Sequence, residues 1–260
     1  MDTVIIQSYR TERVPRWMTR CMDSVKRWTS AQGYDYRFVG DEIFALVPDW
    51  YRERTGHALP LQTDLARLIL ARDALKEGYR RAVWLDADVL VFAPKRLALP
   101  EERNFYFCRE VWLDYVNNAL EISDRVNNCA CVFAAGNGFL DFYIDACLQL
   151  VRETKAPVSP LLIGTRFLTF LDRILTLPRL ATVGLLGPYL VRDIGAGGGA
   201  FLDNYKRHFA TPVYAANLCA SFHNRSFPLP SGGAFTVDDA AYAAAIEALL
   251  AAGENFIAGR

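Results

Sequence analysis

The sequence predicts an α/β fold in which helices flank a sheet, because of three features. Short apolar runs alternate along the chain with segments whose apolar residues recur at helical spacing. The longest run, residues 82–92, is rich in Val and lies between Arg81 and Pro94, which is typical of a strand buried on both faces. No repeat or low-complexity linker divides the 260 residues, so a single domain is expected.

Composition and charge narrow the class of protein. Apolar residues make up 52% of the chain and charged residues 22%, as in folded globular proteins. Lys plus Arg number 29, as do Asp plus Glu, so no basic excess exists to attract nucleic acid. The start lacks the pattern of a signal peptide, and no run approaches the roughly 20 apolar residues that span a bilayer. A cytoplasmic location is expected.

The cysteines indicate thiols rather than disulfides or a zinc site. All six lie in apolar surroundings, and none forms a C-x-x-C pair. Cys129 and Cys131 have no matching pair elsewhere that would complete a zinc site. In a chain without an export signal, buried free thiols are expected.

The segments before the central run predict a βαβ unit. Residues 3–9 predict a first strand, whose last side chains, Gln7 and Ser8, either face a ligand crevice or simply end the strand. The elements that follow are a helix over 14–29, a strand over 36–40 and a helix within 46–57, around Trp50 and Tyr51.

Residues 61–78 predict a helix with Thr63 as its N-cap and Gly78 at its end. Asp64 and Arg67 are three residues apart, so they share one face near the helix start. One interpretation is a capping acid with a surface ion pair, and the other is a ligand-binding pair. We expect the start of this helix and the end of the following strand to lie on opposite sides of the unit, unless the chain enters the helix from the ligand side. The sequence therefore leaves open whether Asp64 and Arg67 form a surface ion pair or bind a ligand.

Asp86 and Asp88 lie one residue apart inside the apolar central run, with Ala87 between them. A buried charge is costly unless it is paired or coordinates a metal. Carboxylate oxygens suit Mg²⁺ or Mn²⁺, and a phosphate is a natural further partner of such an ion. The sequence therefore predicts a divalent metal at these two aspartates.

The second half of the chain predicts further strands and helices. The strands are expected over 105–108 and 126–134, and the helices over 139–151, 161–177 and 237–256, the last of which packs on the body or mediates association. The glycine run 195–199 lacks the G-x-G-x-x-G order, so we expect a mobile loop over the site. Residues 217–227 combine a short strand with His223, Asn224 and Arg225 at its end.

These motifs together resemble the nucleotide-sugar-dependent glycosyltransferases that have a DXD motif and a GT-A fold, specifically the family-32 type. That group includes mannosyl- and galactosyltransferases, capsular polysaccharide enzymes and, more distantly, the clostridial glucosylating toxins. The matching segments are residues 64–67, 78–89, 127–128 with 138–139, 187–188 and 223–227. The resemblance covers residues 3–227. It is weakest at 136–138, where Gly-Asn-Gly replaces Gly-His-Pro, so acceptor recognition is the least transferable property.

The resemblance implies a single GT-A domain with a mixed sheet, in which residues 1–95 bind the nucleotide sugar. Residues 96–230 would form the acceptor half and closing segment, and 231–260 a C-terminal helix. The implied catalytic residues are Asp64, Arg67, Asp86 and Asn128. The implied donor-binding residues are Gln7, Asp64, Arg67, Asp86, Ala87, Asp88, His223 and Arg225, of which Asp86, Asp88 and His223 would hold Mn²⁺ or Mg²⁺.

The implied roles follow the chemistry of the donor. Asp88 would ligate the ion at the diphosphate, Asp86 would contact ribose or metal-bound water, and His223 would be a further metal or diphosphate ligand. Arg67 with Asp64 and Asn128 would hold the donor sugar, Gln7 would lie near the base, and Arg225 would stabilise the leaving group. Family frequency favours a UDP-sugar over a GDP-sugar, and the resemblance implies a retaining transfer to a glycan or other hydroxyl acceptor.

Other interpretations remain open. A haloacid-dehalogenase-type phosphohydrolase also carries Asp-x-Asp after a buried strand, but its motif normally continues with Thr or Gly-Thr, whereas Val89 follows here. A non-catalytic sugar-binding module is the third interpretation, which the intact motif residues argue against. Near the start, the cluster Arg10, Arg13, Arg16 and Arg20 predicts a solvated helix face, with a peripheral contact to the inner face of a membrane or to an acidic acceptor as the alternative.

Overall fold

The structure, a computed structural model, describes residues 2–117, 119–155, 157–209 and 211–257. Its strands are β1 (Thr3–Ser8), β2 (Asp35–Val39), β3 (Arg81–Leu85), β4 (Val89–Val91), β5 (Phe105–Val116), β6 (Ala119–Ala134), β7 (Arg179–Leu180), β8 (Val183–Leu185), β9 (Ala215–Asn217), β10 (Ser226–Pro228) and β11 (Ala234–Thr236). Its helices are α1 (Arg16–Ala31), α2 (Asp49–Thr55), α3 (Leu59–Lys76), α4 (Gly138–Glu153), α5 (Thr165–Leu175), α6 (Pro188–Gly195), α7 (Ala200–Arg207) and α8 (Asp239–Ala252).

A mixed sheet with strand order β2-β1-β3-β6-β5-β7 forms the centre of the described structure. β1 runs parallel to both β2 and β3, whereas β6 runs antiparallel to β3 and to β5. A smaller sheet, β4-β9-β8, lies beside it, and β10 pairs with β11. The sequence-based prediction of an α/β fold with a mixed sheet flanked by helices is therefore confirmed.

The inner parallel strands β1 and β3 of the central sheet are buried on both faces. Ile5 and Val83 belong to one hydrophobic cluster, together with residues of α1, α6 and α8. Val4, Ile6 and Trp84 belong to the other cluster, together with residues of α2, α3 and α4. Because side chains alternate along a strand, each strand supplies both clusters, which accounts for the apolar runs without polar alternation.

The central run is not the single strand that its composition predicts. β3 ends at Leu85, whose partner in β6 is Ala130, and β4 begins at Val89 in the other sheet. Between them the chain turns, and the N–H of Val89 donates to the carbonyl of Asp86 at 3.0 Å. The two aspartates therefore lie in the turn that joins the sheets, at the carboxyl end of β3.

Several element boundaries differ from those predicted. α3 begins at Leu59 with Ala58 as its N-cap and Pro60 in its first turn, so Thr63 lies inside the helix and does not cap it. The hairpin of β5 and β6 is much longer than expected, and its register shifts at Phe107 and Cys108. The run 195–199 joins α6 to α7 and lines neither of the cavities at the aspartates, contrary to the expectation of a loop over the site.

The C-terminal helix packs on the body of the protein. α8 buries Tyr242, Ile246 and Leu249, and its Asp238 N-cap accepts from the N–H of Ala241. Residues 258–260 of the expected C-terminal segment lie outside the described residues. In the part of the chain that the structure describes, no helix has both the length and the apolar character needed to cross a bilayer. All six cysteines are free and buried, as predicted.

Candidate active site

Two cavities meet at the turn that carries the aspartate pair. The larger has a volume of about 590 Å³, and residues before the turn supply most of its lining, including Ser8, Tyr9 and Phe44. The smaller has a volume of about 350 Å³ and lies toward the β5–β6 hairpin. Asp86 and Asp88 line both cavities, so a molecule bound in either one reaches the same two carboxylates.

Helix α3 brings its first turns to this point. The helix ends at Lys76, Gly78 with a φ of +103° reverses the chain two residues later, and β3 then runs back antiparallel to the helix. The start of the helix and the end of the strand therefore share one edge of the sheet. Of the two arrangements that the sequence leaves open, the structure has the one in which the chain enters the helix from the ligand side, and the short reversal after the helix returns the strand to the level of the helix start.

Arg67 connects the helix to the turn and to β6. Its Nη2 lies 3.0 Å from Asp64 Oδ1, and its Nη1 lies 3.1 Å from Asp86 Oδ1. Nη1 also donates to the carbonyl of Asn128 at 2.5 Å, and the Asn128 amide donates to Asp64 Oδ1 at 2.8 Å. Asp64, Arg67 and Asn128 are all buried, so the surface ion pair is excluded as the interpretation of this motif.

Three residues, Trp84, Arg67 and Gln7, contact Asp86. The indole N–H of Trp84 donates to Asp86 Oδ1 at 2.6 Å, and the Arg67 guanidinium lies over the Trp84 ring, 5.0 Å from its centroid. The Gln7 amide nitrogen donates to the Asp86 carbonyl at 3.1 Å, while its amide oxygen accepts from the Tyr36 hydroxyl. The Asp86 side chain keeps 28% of its surface exposed, so it remains open to a ligand.

Gln7 differs from its predicted position. It is fully buried and does not line the larger cavity, whereas its neighbour Ser8 does. Both polar atoms of its amide are used inside the protein. In this structure Gln7 supports the backbone of the aspartate turn instead of facing the crevice.

Asp88 is buried and has only neutral donors. Asn217 Nδ2 donates to Asp88 Oδ1 at 2.6 Å, and the N–H of Ala220 donates to Oδ2 at 2.7 Å. No Lys, Arg or His of the described residues lies within ion-pairing distance of this carboxylate. The side chain is thus oriented by two hydrogen bonds but lacks a counter-ion.

The pKa values of the three carboxylates reflect this burial. Desolvation raises the pKa of Asp64 to about 6, against the opposing effects of Arg67 and Asn128. Desolvation and the neighbouring Asp86 raise the pKa of Asp88 to about 7, and desolvation also raises that of Asp86. Burial alone would lower the pKa of Arg67, but Asp86 and Asp64 offset this and raise it, so Arg67 stays charged.

His223 and Arg225 are not brought to the aspartates. His223 Nε2 lies 2.8 Å from Asp239 Oδ1, and its ring packs edge-on to Trp17, at 5.9 Å between centroids. Arg225 is exposed and lines neither cavity. Within the described ranges, no three His, Cys, Asp or Glu side chains group closely enough to hold a metal. The structure therefore does not bring together the predicted trio of Asp86, Asp88 and His223, because the chain turns away after Ala220.

Two residues of the site were absent from the sequence-based prediction. Trp84 lies two positions before Asp86, and the two-residue period of a strand could have placed both on one face. Asn217 reaches Asp88 because β9 pairs with β4 in the register that puts Asn217 opposite Val89. The sequence carries no signal for that pairing, and the hydrogen bond that it permits joins Asp88 and Asn217, which are 129 positions apart.

The chain has weak likenesses to solved structures. It is similar to a glycosyltransferase involved in the glycosylation of the major capsid of PBCV-1, with 15% identity and a TM-score of 0.46, over 83% of this chain and 93% of that one. It is also similar to A197 from STIV, with 12% identity and a TM-score of 0.26, over 66% of this chain and 78% of that one. No protein-family model matches the chain. No curated protein sequence matches it.

Proposed function

We propose that this protein is a metal-dependent glycosyltransferase. It moves a sugar from a nucleotide-sugar donor, with UDP favoured over GDP, to a hydroxyl acceptor. The donor would occupy the larger cavity, and the transferred sugar would meet the acceptor at the aspartate turn. The DXD resemblance in the sequence and the two cavities that share this turn both support the proposal.

One observation carries the proposal, namely the buried carboxylate of Asp88, which has no counter-ion within the described part of the chain. A charge taken out of water needs a partner of opposite sign, and this one faces two cavities instead of a basic side chain. Asp86, two residues earlier in the same turn, keeps 28% of its side-chain surface exposed. Two carboxylates arranged in this way fit Mg²⁺ or Mn²⁺, which prefer oxygen ligands and keep sites free for phosphate and water.

The larger cavity offers the features that a nucleotide needs. Tyr9 and Phe44 supply aromatic surface, and Arg10 adds a positive charge near the opening. Such a lining, mostly apolar with a few polar groups, is typical of cofactor and small-ligand sites. The volume of about 590 Å³ falls in the usual range of those sites.

The chain's own residues would divide the work as follows. Asp86 and Asp88 would hold the ion, which when bound would stabilise the negative charge of the departing diphosphate. Arg67 would fix Asp86 and Asp64 in place through its rigid fork of donors. Asp64 and Asn128 are buried and line neither cavity, so they would hold Arg67 in position instead of making the sugar contact that the resemblance implies.

The test is binding of nucleotides followed by turnover. The melting temperature of the wild-type chain is measured with UDP, GDP and their sugars, each with and without Mn²⁺, and release of nucleoside diphosphate is then assayed. We expect stabilisation by a nucleotide only when Mn²⁺ is present, and metal-dependent release of the diphosphate. Hydrolysis of simple phosphate esters would support the phosphohydrolase instead, and binding without any release would support the non-catalytic module.

A further inference from the structure

The smaller cavity is built by the long β5–β6 hairpin. Ala130 of β6 lies opposite Leu85, the last residue of β3. The hairpin residues that precede Ala130 in β6, and their partners in β5, therefore extend beyond the carboxyl end of β3. Glu110 and Trp112 of β5 and Arg125 of β6 lie on that extension and line the cavity. Phe222, which follows β9, lines it from the other side.

Trp112 presents a fixed aromatic surface to this cavity. Its ring packs against Phe222 with a centroid distance of 5.5 Å and an interplanar angle of 36°. On another side it lies against the backbone of Gly187, where a Cβ would come within 3.1 Å of the indole. A larger residue at position 187 would therefore require the indole to shift by a few tenths of an ångström. Such a rigid, partly exposed aromatic ring is suited to the apolar C–H face of a ligand.

Glu110 adds a buried hydrogen-bond acceptor to the same cavity. The residue is 4% exposed, and its Oε2 accepts from Asn127 Nδ2 at 2.6 Å. Its Oε1 lies 3.5 Å from Arg125 Nη1 and receives no hydrogen bond from the described residues. A carboxylate can accept about four hydrogen bonds, so Glu110 keeps acceptor capacity for a ligand hydroxyl.

We propose that the smaller cavity binds the acceptor as a hexopyranoside, with the C–H face of its ring on Trp112 and one of its hydroxyls donating to Glu110. The inference rests on the proposed transferase function, because the acceptor has to meet the donor at Asp86 and Asp88, which line both cavities. A pyranose ring combines one apolar face with a rim of hydroxyl donors, and this cavity pairs an aromatic face with a buried carboxylate. The volume of about 350 Å³ lies at the lower end of small-ligand sites, which suits a ligand of this size.

The experiment measures binding of simple sugars to the full chain by saturation-transfer NMR. The probes are the methyl pyranosides of glucose, galactose, mannose and N-acetylglucosamine. Trp112→Leu removes the aromatic face, and Glu110→Gln keeps the shape but removes the charge. Trp50→Ala and Glu121→Gln are the matched controls, because Trp50 lies on α2 and Glu121 is an exposed residue of the same hairpin, and neither lines the cavity.

We expect at least one glycoside to bind the wild type and both controls, and each cavity variant to weaken that binding about tenfold. Unchanged unfolding temperatures show that the variants are folded, and two chemically different substitutions guard against a loss due to misfolding. Equal binding by all five proteins, or no binding of any glycoside by the wild type, would overturn the inference.

Nucleotide binding by the wild type separates this inference from the proposed function. If UDP and Mn²⁺ bind but the glycosides do not respond to the cavity variants, the inference fails and the transferase proposal stands. If the glycosides bind and are lost in the variants while no nucleotide binds, the cavity is a sugar site and the transferase proposal fails.

Discussion

The Nη1 atom of Arg67 lies 3.1 Å from Oδ1 of Asp86, so that helix α3 is tied to the turn between the two sheets. The same guanidinium pairs with Asp64 and contacts the backbone of Asn128. One buried cation thus sets the positions of residues from three separate segments. Asp88, in contrast, has no such partner among the described residues.

Asp88→Asn should abolish metal-dependent turnover of the nucleotide sugar. An amide is a poor ligand for Mn²⁺ compared with a carboxylate, and the loss of the charged ligand should reduce kcat by at least about a hundredfold. The assay is release of nucleoside diphosphate, with the exposed and distant Asp49→Asn as a control. Activity within about threefold of the wild type would argue against a metal at this pair.

Arg67→Lys should alter donor-sugar selection more than nucleotide affinity. Lysine keeps the positive charge but cannot hold Asp64 and Asp86 at the same time with a planar fork. We expect kcat/KM to fall about tenfold or more and the preference among UDP-sugars to flatten, while the Kd of UDP with Mn²⁺ changes little. An unchanged order of sugar preference would contradict the role of Arg67 at the sugar.

Gly164→Ala should displace the side chains of Asp64 and Asn128 at the site. A Cβ at Gly164, the residue before α5, would lie 2.8 Å from Asp64 Oδ2 and 3.1 Å from Asn128 Oδ1. We therefore expect a clear loss of kcat/KM. Gly138→Ala is the matched control, since a Cβ there meets nothing within 4 Å, and it should leave kcat/KM unaffected. Equal activities of the two variants would show that the close packing of Gly164 against Asp64 and Asn128 does not affect catalysis.

Asp64 should make the stability of the protein depend on pH in an unusual direction. Burial raises the pKa of Asp64 from 3.8 to about 6, so the folded chain holds this proton more tightly than the unfolded chain. The stability from this group is full below about pH 4 and is lost as the pH rises through about 6. Asp64→Asn lacks this titration, so its free energy of unfolding relative to the wild type should rise by up to about 3 kcal/mol between these values.

Urea unfolding of the metal-free wild type and of Asp64→Asn across this pH range measures the effect. The difference between the two proteins removes the contributions of the other carboxylates that both retain. A difference that does not vary with pH, or that varies in the opposite direction, would contradict the raised pKa of Asp64.

The residues near one another in sequence were predicted with most success. Asp64 and Arg67 were paired from their spacing, because a helix places residues three apart on one face. The strand before Asp86 was recognised from its apolar run. The break between β3 and β4 was missed, because both strands are apolar and only their pairing with different partners separates them.

Residues distant in sequence account for what was missed or misplaced. The resemblance implies His223 at the metal, but the chain turns after Ala220 and the ring packs against Trp17. Asn217 occupies the place beside Asp88 instead. No local pattern distinguishes these two residues, since the outcome depends on how β9 pairs with β4.

The sequence by itself determined the α/β class, the flanking helices and the pair of aspartates within a buried apolar run, because apolar periodicity and the cost of burying charge act locally along the chain. Only the tertiary structure decided which side chains surround each carboxylate. Arg67 reaches Asp86 and leaves Asp88 unpaired because the reversal at Gly78 and the pairing of β9 with β4 bring distant segments to one edge. Those contacts depend on packing between segments, which residue spacing along the chain does not encode.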